Sequence, residues 1–455
     1  MLHFHFRMQF PSKFVANINA LLGADAPLLL DALQTTSPTS IRLNPAKAFD
    51  FPAKTEQVPW NESGRYLAER PVFTLDPAFH AGAYYVQEAG SMFIAEAIKQ
   101  TVDLTKSLMV MDLCAAPGGK TTTMAALLNQ ESIIVANEVI KSRIGVLKEN
   151  LEKWGFPNYI VINHDVEETS DMEGFFDVVL VDAPCSGEGL FRKDPKAMNE
   201  WSEDSVNMCS ARQRRILQAA AMLVKPGGIL IYSTCTYNEI ENQENVDWLS
   251  KMFDFEVQKL TILPEFGIVE TAGGYQFYPH KTKAEGFFCS VLKNLGGEEN
   301  FLPARIKLNK LPSKYHDIVK AWLKNGDDFD YFLKADQITV VALRHSLVDE
   351  YGIIMRGFFK KSSGFEIGMF KGTDFIPSHA LALSSEINPD LAAVEVSKEA
   401  ALKFLKREEF EAEFPNQGWF LIRYQGLNIG WVKALSGRIN NYLPKEWRIR
   451  MEISE

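Results

Sequence analysis

Two cysteines stand out by their surroundings: Cys185 in "VDAPCSGEG" and Cys235 in "YSTCTY". Each follows an apolar run that reads as a β-strand, so each thiol falls at a strand's carboxyl end. A thiolate is a good nucleophile, and the ordinary cysteine pKa of ~8.5 is readily tuned lower by its setting. Four acids hold equivalent places. Asp112 ends "LMVMD", Glu138 follows "SIIVAN", Asp165 follows "YIVINH" and Asp182 ends "FDVVLVD". A carboxylate after the second strand can hold ribose hydroxyls. Asp165 is placed for an adenine amino group. Any one of these acids could cap a turn, but four strand ends in series favour a bound ligand.

Between the first strand and its helix lies "LCAAPGGKTT", Leu113 to Thr122. It resembles a phosphate-binding loop and fails the count. A Walker loop needs glycine, four residues, then Gly-Lys-Ser/Thr. The first glycine would fall at 114, where the chain has Cys114. Pro117 removes a backbone N–H where a phosphate cradle needs donors. The loop still lets a ligand approach the backbone closely. A glycine turn without a triphosphate cradle, beside strand-end acids, suits a ligand with an adenine, a ribose and a zwitterionic tail. S-adenosylmethionine is such a ligand.

The elements that must position these residues alternate. "LMVMDL", "SIIVAN", "YIVINHD", "FDVVLVDAP" and "ILIYSTCTY" read as strands. Helices follow at Lys120 to Leu128, "KSRIGVLKENLEKWG" and "SARQRRILQAAAMLV", the last stopped by Pro226, Gly227 and Gly228. That order predicts a doubly wound, Rossmann-like α/β sheet with ligands beyond the strands' carboxyl ends. Residues 1–75 read as a small N-terminal domain, 76–295 as the α/β domain and 296–334 as a linker. The stretches 335–400 and 401–455 read as two small α+β C-terminal domains, forming a separate appendage.

The chain has 455 residues, 46% of them hydrophobic and 23% charged, with a formal net charge of −10. No apolar run is expected to approach the ~18 residues of a membrane span. No signal peptide is read at the start, so the expected compartment is the cytoplasm. The five cysteines form neither a disulfide framework nor a metal cluster, and no metal is expected. Cys114, Cys209 and Cys289 read as small buried hydrophobes. The C-terminal third is basic at both ends. Residues 303–324 carry Arg305, Lys307, Lys310, Lys314, Lys320 and Lys324; residues 421–450 carry Arg423, Lys433, Arg438, Lys445, Arg448 and Arg450.

In sequence order, "MDLCAAPGGKTT", "VDAPCSGEGLFRKDP" and "YSTCTYNEIENQENV" resemble the RNA cytosine-C5 methyltransferases of the NOL1/NOP2/Sun family. "SIRLNP", "YYVQEAGSM" and "YPHKTKAEGFFCSVL" are similar to further blocks. "GFEIGMFKGTDFIPSHALAL" and "GLNIGWVKALSGRINNYLPKEWR" resemble the C-terminal domains of the RsmF (YebU)-like subgroup, the second of them PUA-like.

The resemblance implies methylation at C5 of a cytosine in RNA, most readily 16S rRNA or the small ribosomal subunit. Neither DNA nor a membrane is an expected partner, and a monomer is expected. It implies Cys235 as the nucleophile that adds to C6, Cys185 as the group that helps remove the C5 proton and release product, and Asp182 on the cytosine N3/N4 edge. Cys114, Ala115, Ala116, Pro117, Gly118, Gly119, Lys120, Glu138, Arg143, Asp165 and Asp182 are the implied cofactor-binding set, with Lys120 facing the cofactor's carboxylate. Arg42 and Asn44 are implied to orient the site wall. Arg192 and Lys193 are candidates for phosphate contacts. Arg212, Arg214 and Arg215 lie on different helix faces and read as phosphate contacts or surface charges. Tyr424, Trp431, Tyr442 and Trp447 read equally as stacking on RNA or as the core of a small domain. A tRNA substrate is an alternative. A silent RNA-binding assembly factor is another, opposed by the presence of both cysteines.

Overall fold

The computed structural model describes residues 9–297, 304–358, 361–362 and 364–452. It begins with α1 (Ser12–Leu22) and α2 (Ala26–Ala32), separated at Gly23, whose φ of 54° lies in the left-handed region. By length and composition the stretch Ser12–Ala32 would suffice to cross a membrane, which corrects the expectation that no segment approaches such a span. Here it is broken in two, and Phe14, Ile18, Leu29 and Leu33 pack against Phe191, Trp201 and Tyr237. Strands β1 (Thr39–Leu43), β2 (Thr55–Val58) and β3 (Asn61–Leu67), helix α3 (Pro77–His80) and strand β4 (Tyr84–Val86) follow. The sheet order is β2-β3-β1-β4. Because Arg42 of β1 pairs with Tyr85 of β4, this first unit continues past residue 75.

The central domain contains α4 (Ile94–Thr101), β5 (Met109–Asp112), α5 (Gly119–Ala125), β6 (Ile133–Asn137), α6 (Ile144–Trp154) and β7 (Tyr159–Ile162). Then come β8 (Phe176–Asp182), α7 (Pro195–Glu200), α8 (Glu203–Leu223), β9 (Val224–Thr234) and α9 (Gln243–Phe253). Strands β10 (Phe255–Val257), β11 (Val269–Thr271), β12 (Gly274–Phe277) and β13 (Phe287–Asn294) complete it. The parallel core runs β7-β6-β5-β8-β9, with β13 antiparallel to β9. The winding reverses between β5 and β8, so the loops there diverge and open a crevice. Both faces are covered, which is why the strands read as unbroken apolar runs. Met111, Val135, Val179 and Leu230 pack with α8 and α9, while Val110, Ile134, Leu180 and Ile231 pack with α4 and α5.

Helix α8 starts earlier than expected, at a reciprocal cap between Ser202 and Ser205, and ends at Leu223. Pro226 to Gly228, expected as its stop, lie inside β9. They bulge where the pairing with β8 jumps from Phe176↔Val224 to Val178↔Ile229, a position where a sheet tolerates proline.

The C-terminal part contains α10 (His316–Lys320), β14 (Phe329–Leu333), β15 (Thr339–Arg344), α11 (Val348–Gly357), β16 (Lys361–Ser362), β17 (Glu366–Lys371), β18 (Asp374–Pro377) and α12 (His379–Leu383). It ends with β19 (Ala393–Glu395), α13 (Lys398–Lys406), β20 (Gly418–Tyr424), β21 (Leu427–Leu435) and β22 (Arg438–Asn441). Its two sheets are ordered β14-β15-β17-β18 and β19-β20-β21-β22, while β16 pairs with β7 at the edge of the central sheet. The 296–334 segment is therefore more than a linker: it holds α10, and β14 pairs with β15 from Phe329 to Leu333. The last sheet starts before 401, since β19 runs parallel to β20. The expected separate appendage is instead fused to the N-terminal sheet. Ile41 and Tyr84 share one core with Phe404, Ile422 and Val432, because a small four-stranded sheet cannot bury its own apolar face. The stacking candidates are spent on these cores. Trp431 is buried and donates to the Ser378 carbonyl at 2.8 Å, while Tyr424, Tyr442 and Trp447 pack partly buried.

Arg192 is also not a phosphate ligand. Its side chain is 5% exposed and pairs at 3.0 Å with Glu285, itself 2% exposed. It also donates to the Ala284 carbonyl. Lys193 remains exposed. Breaking such a pair strands a buried charge. Glu285→Ala should lower unfolding free energy by about 3–5 kcal/mol, read by urea denaturation. Replacing both partners, Arg192→Met with Glu285→Leu, should cost less. Equal losses for single and double variants would contradict this role.

Candidate active site

The turn after β5 is built by its own backbone. Ala115 N–H donates to the Asn137 carbonyl at 2.8 Å, and Asn150 donates to the Pro117 carbonyl at 2.8 Å. Gly118 caps α5 at φ 109°, a conformation that favours glycine. A Cβ on Gly119 would approach the Tyr85 ring to 3.3 Å. Cys114, Ala116 and Lys120 face a cavity of about 690 Å³ at the carboxyl ends of the strands, whereas Ala115, Pro117, Gly118 and Gly119 do not line it. Those four shape the turn. Asp112 lies beneath it. Burial pushes its carboxyl up to about 7, although Thr121 donates to Oδ2 at 2.6 Å.

The other acids reach the cavity with Arg143. Glu138 Oε1 accepts from Ile140 N–H at 2.7 Å, and Oε2 pairs with Arg143 at 3.2 Å. Asp165 lies 3.6 Å from Arg215. Asp182 Oδ2 pairs with Lys120 Nζ at 2.7 Å, and Oδ1 accepts from Ser233 at 2.8 Å. Burial pulls the Lys120 pKa down, but the Asp182 carboxylate outweighs it and the net shift is upward. Lys120 and Asp182, expected to address separate ligand groups, address each other in this structure.

Cys185 and Cys235 project into the same cavity, their sulfurs 2.7 Å apart. Cys185 Sγ also accepts from Cys235 N–H at 3.2 Å. The hydrogen bond to Cys235 raises the Cys185 thiol well above the usual range, and burial and the Glu241 charge add to it. Cys114 and Cys209 also line the cavity, and burial pushes both thiols up.

Residues passed over in the sequence hold the two cysteine loops together. Glu188 is buried. Its Oε2 accepts from Thr236 at 3.0 Å and Tyr237 N–H at 3.2 Å, while Oε1 accepts from Trp201 at 2.9 Å. Gly189 N–H donates to the Cys235 carbonyl at 2.8 Å. A Cβ on Gly189 would stand 2.3 Å from the Gly286 carbonyl oxygen and 2.8 Å from that of Cys235. The signal available in sequence was an acid between two glycines directly after a cysteine. Arg42, read only as part of the wall, is a strut. Its buried guanidinium donates to Gln87 at 2.7 Å and Thr122 at 2.6 Å, with the Trp154 ring 4.2 Å away. It joins β1 to α5. Asn44 bonds the Gly82 and Trp154 carbonyls. Of the α8 arginines, Arg212 and Arg215 reach the cavity, while Arg214 turns to Asn245 and the Trp248 ring.

A paired thiol, an ammonium and a carboxylate in one crevice can add sulfur to an electron-poor carbon while holding a polar ring edge. Gly189→Ala should part the cysteine loops at a cost of about 1–3 kcal/mol. Diamide takes two hydrogens from two thiols and leaves a disulfide. It should close Cys185–Cys235 readily in the parent chain and several-fold more slowly in the variant, read by non-reducing peptide mapping. An unchanged rate would contradict the close approach.

The chain is similar to known proteins over nearly its whole length. The family model for 16S rRNA methyltransferase RsmB/F matches residues 99–293. The N-terminal domain of 16S rRNA methyltransferase RsmF matches 10–89, and the methyltransferase RsmF PUA domain matches 392–449. Ribosomal RNA small subunit methyltransferase F of Vibrio vulnificus (strain YJ016) is 31% identical over 97% of this chain and 98% of its own. The protein of that name from Pectobacterium atrosepticum is 29% identical over 96% and 95%. A solved methyltransferase homolog protein from Pyrococcus horikoshii is 27% identical, with a TM-score of 0.55 over 63% of this chain and 96% of that one. NSun6 from Pyrococcus horikoshii, solved with SFG, shares the fold at 21% identity and a TM-score of 0.54, over 63% of this chain and 99% of that one. With near-complete coverage at this identity, the chain belongs to the RsmB/F family of 16S rRNA methyltransferases.

Proposed function

We propose that this chain methylates C5 of a cytosine in 16S rRNA of the small ribosomal subunit, using S-adenosylmethionine and a covalent bond between Cys235 and C6. The observation that carries the reading is the thiol pair, 2.7 Å apart in one cavity with the Lys120–Asp182 ion pair. The printed names of the Vibrio and Pectobacterium relatives support the RNA. The cavity's donor set fits the cofactor. The Glu138 and Asp165 carboxylates suit hydroxyl and amino donors, and Lys120 suits a carboxylate. Cys114, Ala116 and Arg143 complete the wall. When bound, S-adenosylmethionine supplies an electrophilic methyl group to the activated C5.

The residues divide the remaining work. The Cys235 thiolate adds to C6, and the C5–C6 electron pair makes C5 enamine-like. Asp182 holds the N3/N4 edge while charge develops there. Alkylation of Cys235 removes the hydrogen bond that most raises the Cys185 thiol, and Cys185 then gives its proton to solvent water in the cavity. Its thiolate takes the C5 proton after methylation. The freed electron pair re-forms the C5–C6 double bond and expels the Cys235 thiolate. The target base must leave its stack to enter. Exposed Lys193 and Arg212 are placed for phosphate, and the N-terminal and PUA-like domains hold the RNA. We read the protein as a cytoplasmic monomer.

Tritiated S-adenosylmethionine and total RNA from a strain lacking the protein should give labelled 16S rRNA. Label in tRNA would move the substrate, and no transfer would overturn the reading. Cys185→Ala should accumulate a covalent RNA adduct visible on a denaturing gel, and Cys235→Ala should form none. An adduct trapped by Cys235→Ala would exchange the two roles. Asp182→Asn should slow single-turnover methylation by about 10²-fold or more.

A further inference from the structure

Glu241 lies in the loop between β9 and α9 and is buried. Its Oε2 accepts from the Ser186 N–H at 3.0 Å and from Gln213 at 2.8 Å. Its Oε1 has no hydrogen-bond partner among the described residues. A proton on Oε1 would have no acceptor to meet, and Oε2 is already occupied by two donors. Burial raises the Glu241 pKa, while the donors from Ser186 and Gln213 favour the carboxylate that accepts from both. Ser186 follows Cys185 directly, so the Glu241 carboxylate binds the backbone one residue beyond Cys185, and its charge adds to the upward shift of that thiol. Lys120, on helix α5, acts electrostatically on Cys235 instead. Two thiols in contact cannot both ionise at low cost. A negative group beside one and a positive group beside the other decide which keeps its proton.

We infer that Glu241 is a positioning residue whose buried carboxylate holds the proton on Cys185 and so reserves that thiol for the later proton transfer. This rests on the reading of Cys235 as nucleophile. Lys120 from α5, Asp182 from the end of β8, and Cys209 and Arg212 from α8 line the cavity with the pair. Glu188 and Glu241 do not line it and bind the loop backbones at Tyr237 and Ser186. Asp182 is already tied to Lys120 and Ser233, and Glu188 to Thr236, Tyr237 and Trp201. Glu241 is the carboxylate bound to the Cys185 loop backbone with one oxygen to spare. The same charge makes Cys185, once ionised, a more basic acceptor for the C5 proton.

Iodoacetamide labelling of the full chain, followed by peptide mass mapping, reads each thiol separately. At neutral pH, Cys235 should react about tenfold faster than Cys185 or more, the effect of at least one pKa unit. Glu241→Gln should bring that ratio towards one by accelerating Cys185, and an unchanged ratio would overturn the inference. Should the variant not fold, a pH series on the parent chain decides. Cys185 must reach half-maximal reactivity above the ordinary thiol range of ~8.5, and half-maximal reactivity within or below that range overturns the proposal. Failure here is distinct from failure of the nucleophile assignment, which is read from the cysteine that carries the RNA adduct.

Discussion

Two sulfur atoms 2.7 Å apart cannot both be thiolates without a large Coulomb cost. Most of the site follows from that constraint. One sulfur must hold a proton while the other is free to attack, and the protein must prevent the roles from drifting. The polar residues near the pair differ, with the Lys120–Asp182 ion pair in the cavity and the buried Glu241 bound to the backbone next to Cys185. The proposed chemistry uses this difference twice. It holds the proton on Cys185 in the resting site, and it leaves a basic thiol for the later proton transfer.

Holding the sulfurs in contact is a problem of loops, since each cysteine lies just beyond a strand. The parallel pairing of β8 and β9 brings the strand ends together, with Asp182 opposite Ser233. Glu188 then ties one loop to the other through Thr236 and Tyr237, and Gly189 lets the backbones touch. The remaining domains brace this centre from outside. Arg42 fixes the N-terminal sheet to α5, and the shared core of Ile41 and Tyr84 with Phe404 and Ile422 joins the last domain to the first. The crevice is thus clamped at the loop after β5 by a domain that supplies no cysteine.

Much of this was legible in the sequence. The strands are short and wholly apolar, so period and length marked them. The cysteines and acids at their ends were conspicuous because polar residues directly after buried strands need a reason. Glu188 and Glu241 were not legible, because a glutamate in a polar loop looks like any solvated acid until its donors are placed around it. Arg192 and the C-terminal aromatics misled for a related reason. A basic or aromatic residue near a site reads as a ligand contact, while its burial depends on partners distant in sequence, such as Glu285 for Arg192 and Ser378 for Trp431. Pro226 misled by its usual meaning as a helix stop, since the sheet absorbs it in a bulge.

The central claim is that Cys235 bonds to the base while Cys185 manages the proton. RNA carrying 5-fluorocytosine tests it most directly. Fluorine at C5 blocks the proton loss that releases the enzyme, so the parent chain should stall as a stable thioether. Digestion and mass spectrometry should place the methylated, fluorinated nucleotide on the peptide containing Cys235, with Cys185 unmodified. A nucleotide attached to Cys185, or turnover without any adduct, would contradict the account.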